Sequence, residues 1–256
     1  MLLKFNSEIA LNYKSNAQRA RVMTENWVAN NIFCPVCGKP FLSQFEANRP
    51  VADFFCDSCH SEYELKSMRK RSGDISNKAP DGAYETMISR ITSQTNPNLF
   101  FLTYNDDMVN NFLMIPKYFF TPAIIEKRKP LSQNARRAGW IGCNINISAI
   151  PEAGRIFIIK NSIAIQKDSV MLQYVKAQNL ETKNIENRGW LFDVLLCVDR
   201  IPQNEFSLSQ IYSFESEFAA KYPNNHNIRA KIRQQLQILR DRGFVEFSGK
   251  GIYRKL

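Results

Sequence analysis

Asp53 is followed, after ten residues, by Glu64-Leu65-Lys66, which sets two carboxylates and an amine within one short stretch of chain. Paired carboxylates hold a hard divalent cation through oxygen. A lysine beside them can position or activate a water, or offset charge growing on a phosphoryl group. Tyr63-Glu64-Leu65-Lys66 alternates as a strand does, so Glu64 and Lys66 point to one face. The same residues also suit a solvated Glu/Lys strand face, and their surroundings must decide between the two.

Those surroundings begin with cysteine. Cys34-Pro35-Val36-Cys37 and Cys56-Asp57-Ser58-Cys59 are separated by eighteen residues, a spacing read as a structural zinc site. Each Cys-x-x-Cys turn offers two thiolates to a tetrahedral ion, and four thiolates leave no open position for catalysis at zinc. Two disulfides would need an oxidising compartment, of which the sequence carries no sign. Cys143 and Cys197 stand alone and read as small buried residues. The second cysteine pair falls inside the connection from Asp53 to Glu64, so the ion would staple that connection and help hold both carboxylates. With Pro50-Val51-Ala52 ahead of Asp53, the arrangement is that of the metal-dependent nuclease motif PD-(D/E)xK. Here the proline stands three residues before the aspartate rather than next to it.

The elements that must position these groups follow from the pattern. A helix is expected from about Ser15 to Asn30. Asp81 reads as the cap of a second helix, with Tyr84, Met87, Ile88 and Ile91 at helical spacing. Leu99 to Tyr104, Phe112 to Ile115 and Arg155 to Ile159 read as strands. The expected core is therefore mixed α/β. A polar loop is expected from Ser72 to Pro80, and the polar stretch Lys176 to Asn187 marks a domain boundary. Residues 1–182 would form the nuclease domain and 183–256 a second one.

The second domain reads as a winged helix. A helix over Trp190 to Val198, another from about Ser209 to Tyr222, and a third from Ile228 to Asp241 are followed by a hairpin. Its strands are Phe244 to Phe247 and Ile252 to Lys255, around Ser248-Gly249-Lys250-Gly251. On the third helix Ile228, Ile232, Leu236 and Leu239 make one apolar stripe. The opposite side carries Ala230, Arg233, Gln234 and Gln237, side chains able to read guanine edges, adenine edges and a methyl group in a major groove. Lys250, Arg254 and Lys255 on the wing suit phosphate. A protein-binding winged helix would show the same stripe.

The chain has 256 residues, a formal net charge of +10 and 44% hydrophobic residues. The basic balance suits an anionic partner such as nucleic acid. No apolar run of about eighteen residues is present, and no signal peptide is read at the N-terminus, so a cytoplasmic protein is expected. Arg136-Arg137-Ala138-Gly139-Trp140 forms a basic loop whose tryptophan suits either a core position or a DNA contact.

In this order the parts resemble the methyl-directed (type IIM) restriction endonucleases of the DpnI family, over nearly the whole chain. Carrying segments are Tyr13-Lys14-Ser15-Asn16, Asn48-Arg49-Pro50-Val51-Ala52-Asp53, Glu64-Leu65-Lys66-Ser67 and Ala135 to Asn144. Lys231 to Asp241 and Tyr253-Arg254-Lys255-Leu256 carry it at the end. The resemblance implies Mg²⁺-dependent hydrolysis of double-stranded DNA at 5′-GATC-3′ where adenine is N6-methylated, leaving blunt ends, by a monomer. It implies Asp53, Glu64 and Lys66 as catalytic residues, with Asp53 and Glu64 on magnesium. It also implies Cys34, Cys37, Cys56 and Cys59 on structural zinc, a DNA contact for Trp140, and a winged helix that reads the methylated site separately. Two further classes remain open on the residues alone. One is a zinc-containing winged-helix regulator without catalysis; the other is a PD-(D/E)xK repair nuclease that reads DNA structure.

Overall fold

The structure is a computed structural model that describes residues 1–46, 51–71 and 75–256. Asn48, Arg49 and Pro50, and the Ser72 end of the expected polar loop, lie outside the described residues. The chain forms two compact units, residues 1–148 with 153–178, and residues 149–152 with 179–256.

The first unit runs α1 (Asn16–Asn31), β1 (Ser43–Gln44), β2 (Phe54–Phe55), β3 (Glu62–Arg69), β4 (Lys78–Ala83), α2 (Tyr84–Thr92), β5 (Asn98–Asn105) and β6 (Met108–Ile115). It continues with β7 (Ile125–Lys127), β8 (Gly142–Asn146), β9 (Ile156–Lys160), β10 (Ile163–Ala164) and α3 (Lys167–Gln178). One sheet has the order β1-β2-β3-β5-β6-β9-β10, and a smaller one β4-β8-β7. β3 and β5 pair in parallel, with Glu64 beside Leu99 and Lys66 beside Phe101. A parallel neighbour needs a crossover, and the chain between these strands supplies α2.

The core lies where sequence hydrophobicity is densest. Phe100, Phe101, Leu102, Phe112, Leu113 and Met114 are fully buried on β5 and β6. Tyr63 stacks on Phe100 with ring centres 4.4 Å apart, and Trp27 of α1 meets Phe112 edge-on at 5.7 Å. The indole N–H of Trp27 donates to the Leu2 carbonyl at 2.8 Å, which satisfies its one polar atom.

Two expectations need correction here. Asp81 does not cap α2. The residue before that helix is Ala83, in extended conformation, and Asp81 is part of β4. Lys78 to Pro80 are likewise strand rather than loop. Pro80 and Gly82 disguise the strand, because both residues are depleted from strands.

The second unit contains α4 (Ile185–Arg200), β11 (Glu205–Ser207), α5 (Leu208–Tyr212), α6 (Glu215–Lys221), α7 (Ile228–Asp241), β12 (Val245–Gly249) and β13 (Ile252–Lys255). The helix expected over Ser209 to Tyr222 is two short helices, parted at Ser213 and Phe214. Ser207 and Gln210 form a capping box at the first of them. A third sheet, β11-β13-β12, makes the wing. Ile232, Leu236 and Leu239 are fully buried, and Ile228 nearly so, as the helical stripe requires. Trp190 stacks on Tyr222 at 3.9 Å and on Phe218 at 5.5 Å. Gly243, at φ +76°, ends α7 in the left-handed region that glycine adopts without strain.

Because Leu236 is completely enclosed, Leu236→Ala should destabilise the winged-helix unit by about 2–5 kcal/mol. Urea unfolding followed by Trp190 fluorescence reads this. A shift below about 0.5 kcal/mol would mean that the stripe does not form the unit's core.

Candidate functional site

The two cysteine turns are built alike. In the first, the Gly38 N–H donates to the Cys34 carbonyl at 2.8 Å and the Cys34 N–H to the Lys39 carbonyl at 2.8 Å. In the second, the His60 N–H donates to the Cys56 carbonyl at 2.8 Å and the Cys56 N–H to the Ser61 carbonyl at 3.0 Å. The equivalent fourth residues, Gly38 and His60, both have positive φ, +77° and +58°. The two turns face each other across the site. Cys34 Sγ is 3.5 Å from Cys59 Sγ, and Cys37 Sγ is 3.5 Å from Cys56 Sγ. All four sulfurs lie within 4.8 Å of one another, and none is in a disulfide. Tetrahedral zinc with bonds of about 2.3 Å spaces its sulfurs by roughly 3.8 Å, so the cluster is consistent with a structural zinc site. Burial pushes the Cys34 thiol well above its ordinary pKa. A bound cation opposes that shift, since a coordinating thiol is deprotonated.

This cluster is tied directly to the carboxylates. The Cys56–Cys59 turn is the connection between β2 and β3. Phe54 pairs with Tyr63, and the Asp53 N–H donates to the Tyr63 carbonyl at 2.9 Å. Tyr63 Oη also lies 3.0 Å from Cys34 Sγ. A metal ligand is commonly oriented by such an outer partner. Tyr63 therefore faces the sulfur cluster and the core, while its neighbour Glu64 faces the cleft.

Asp53, Glu64 and Lys66 line one cleft of about 410 Å³, together with Thr24 and Glu25 of α1 and Pro80 of β4. Asp53 Oδ2 accepts from the Leu65 N–H at 2.6 Å, which fixes the carboxylate across the β2–β3 pair. Lys66 Nζ is 2.7 Å from Glu64 Oε1 and 2.5 Å from Asp81 Oδ1. On the other side of Glu64, Arg90 Nη2 is 3.6 Å from Oε2 and donates to the Val51 carbonyl at 3.3 Å. Burial raises the Glu64 carboxyl above its usual pKa, with Asp81 acting in the same direction and Lys66 and Arg90 against it. Burial works against the charge on Lys66, but Glu64 and Asp81 outweigh it and hold the ammonium above its ordinary value. Val51, two residues before Asp53, has φ +93°, a conformation costly for a β-branched residue and typical of places where function outranks ease of folding.

Asp81 and Arg90 were not legible as site residues. Asp81 sits ahead of a helical pattern, where an aspartate reads as a cap. Arg90 lies on the polar side of α2, where an arginine reads as solvated.

The basic loop between β7 and β8 is closed by backbone bonds, Leu131 N–H to the Trp140 carbonyl at 2.9 Å and Gly139 N–H to the Leu131 carbonyl at 3.0 Å. Trp140 is half-buried. The Arg137 guanidinium lies 4.5 Å from its ring centre, and Gly142 is so close that a Cβ there would meet the indole at 2.8 Å. Arg136 and Arg137 are exposed. In the second unit Ala230, Arg233, Gln234 and Gln237 are all exposed along α7, and Lys250 is exposed in the wing turn. Arg254 differs, since Glu205 Oε1 at 2.7 Å and Glu246 Oε1 at 2.8 Å bind its guanidinium across the wing sheet.

A mixed α/β unit with a four-cysteine cluster, followed by a winged helix-turn-helix unit, is the build of a protein that acts on DNA. The chain matches the family model described as DpnI, Dam-replacing family, over residues 1–183. It matches DpnI_C, Dam-replacing HTH domain, over residues 186–255. It belongs to the DpnI Dam-replacing family of restriction enzymes, nucleases that hydrolyse DNA and bind it through the helix-turn-helix domain. Among the described residues no helix is long and apolar enough to cross a membrane.

Proposed function

We propose that this chain is a Mg²⁺-dependent PD-(D/E)xK endonuclease that cuts double-stranded DNA at 5′-GATC-3′ when adenine is N6-methylated, leaves blunt ends and acts as a monomer. The observation that carries the reading is the convergence of Asp53, Glu64 and Lys66 on one cleft in a chain matched end to end by this family.

The donor set suits a hard divalent cation, because Asp53 and Glu64 bring carboxylate oxygens to the same cleft. When bound there, such a cation supplies charge stabilisation on the phosphoryl and leaving oxygens. The chain's own groups do the remainder. Lys66, held protonated between carboxylates, orients the attacking water by hydrogen bonding and offsets negative charge on the phosphorus centre. The Leu65 N–H fixes the Asp53 carboxylate, and Arg90 restrains Glu64. Arg136, Arg137 and Trp140 contact DNA beside the cleft's strands. Ala230, Arg233, Gln234 and Gln237 read the second unit's copy of the site, with Lys250 on phosphate. Arg254 reaches phosphate only by leaving its two carboxylates.

Two readers have a physical purpose. One methyl group in an apolar pocket discriminates by only about 1–3 kcal/mol, and two independent readings multiply that factor. The test is a Mg²⁺ digest of one plasmid prepared with and without adenine methylation at GATC. Blunt fragments ending at GATC, from the methylated preparation alone, are expected. Equal cutting of both preparations would remove the methyl dependence, and tight binding without cutting would point to a regulator.

A further inference from the structure

The carboxylate on β4 goes beyond the motif. We propose that Asp81 is a positioning residue for Lys66, holding its ammonium in the cleft when Glu64 turns to a cation. This rests on the reading of Asp53, Glu64 and Lys66 as the catalytic set.

Four observations converge. First, Lys66 Nζ is shared, 2.7 Å from Glu64 Oε1 and 2.5 Å from Asp81 Oδ1. The Glu64 contact comes from the same strand two residues away, and any ExK strand can make it. The Asp81 contact comes from a different sheet and has to be built by the fold.

Second, the building is visible. β4 follows β8 in register from Lys78 to Asp81, and the register then shifts between Asp81 and Ala83. A bulge of this kind bends a strand and re-aims a side chain, and it recurs beside active sites. Gly82 occupies the irregular position and donates its N–H to Asp81 Oδ1 at 2.7 Å, which fixes the carboxylate's rotation.

Third, the Asp81 side chain is only 4% exposed. Fourth, its Oδ2 is buried and makes no hydrogen bond in the structure. A buried carboxylate with one idle oxygen is costly to keep, and nothing in the pairing of β4 with β8 calls for it. The idle oxygen gives Asp81 the capacity to take a second ammonium hydrogen.

Such a residue would have a use in the chemistry. Glu64 cannot serve a divalent cation and remain the main partner of Lys66 with the same oxygen. If Lys66 had no other anchor, cation binding would free a long, flexible side chain at the moment its position matters. A displacement of about 1 Å in a catalytic group can cost on the order of 10²-fold in rate.

Asp81→Ala and Asp81→Asn test this in the full-length protein, with Lys66→Ala alongside. The expected result is a kcat for methylated plasmid about 10²-fold lower in Asp81→Ala. KM should stay close to wild type, and the melting temperature should fall less than in Lys66→Ala, because Lys66 keeps Glu64 as a partner. Asp81→Asn, which keeps an acceptor oxygen, should recover part of the loss. In ¹⁵N-lysine spectra, the ammonium resonance missing from a Lys66→Arg variant should be slow to exchange in wild type and fast in Asp81→Ala. Wild-type kcat in Asp81→Ala, with Lys66→Ala inactive, would overturn the proposal and leave the catalytic set standing. Cleavage by Lys66→Ala would instead overturn the reading on which it rests. A parallel fall in kcat, affinity and melting temperature in both Asp81 variants would make the residue structural. Recovery of full kcat at raised Mg²⁺ would make Asp81 a cation ligand. Either outcome would refute a positioning role.

Discussion

Asp53→Ala and Lys66→Ala should each lower DNA cleavage by on the order of 10³-fold or more, while binding to methylated GATC stays largely intact. The two losses have different causes. Asp53 contributes an oxygen fixed against the Leu65 N–H, and alanine removes it without stranding a charge. Lys66 contributes the cation between Glu64 and Asp81, and its removal leaves two carboxylates facing each other. Deleting one member of a buried ion pair costs about 3–5 kcal/mol, because the remaining charge lacks compensation. Lys66→Ala should therefore also melt earlier, whereas Asp53→Ala should melt near wild type. A gel-shift with methylated duplex, beside a timed digest, separates lost chemistry from lost fold. Cutting at even a tenth of the wild-type rate by Asp53→Ala would end its assignment as a cation ligand.

The second large effect concerns the cysteines. Cys34→Ser should abolish zinc retention and take cleavage with it. Apparent zinc affinities in small four-ligand sites amount to about 10–16 kcal/mol, comparable with or larger than a domain's net stability. Cys34 is fully buried, and its sulfur meets both Cys59 and Tyr63. Losing it unties the turn that joins β2 to β3, and with that turn the registration of Asp53 against Glu64. Elemental analysis should find one zinc per wild-type chain and almost none in the variant. A strong chelator at raised temperature should inactivate wild type in step with zinc release. Metal-free protein that cuts at full rate would show that the cluster does not support the cleft.

What could be read from sequence follows a physical line. The four-cysteine cluster was legible because two short turns with fixed spacing bring its sulfurs together locally. The apolar stripe of α7 was legible because helical period needs no knowledge of what packs against it. Glu64 and Lys66 were legible as one face for the same reason on a strand. Asp81 was not, since its role depends on pairing between β4 and β8, more than sixty residues apart, and on a bulge that no local pattern announces. Arg90 was hidden similarly, because its partners Val51 and Glu64 are distant in sequence. The split between α5 and α6 was missed because Ser213 and Phe214 include neither proline nor glycine. The Ser207–Gln210 capping box was a local signal that could have been read.

Tyr63 and Glu64 are adjacent residues that look in opposite directions, one to sulfur and the aromatic core, the other to the cleft. This makes β3 intolerant of length change. Inserting or deleting a single residue between Tyr63 and Lys66 would turn every later side chain over. The lysine would then be driven toward Phe100 and Phe112, while an apolar residue took its place in the cleft. A substitution at one position of this stretch changes one side chain, whereas a one-codon indel turns over all that follow, so the length of this segment should be held fixed among lineages of this enzyme.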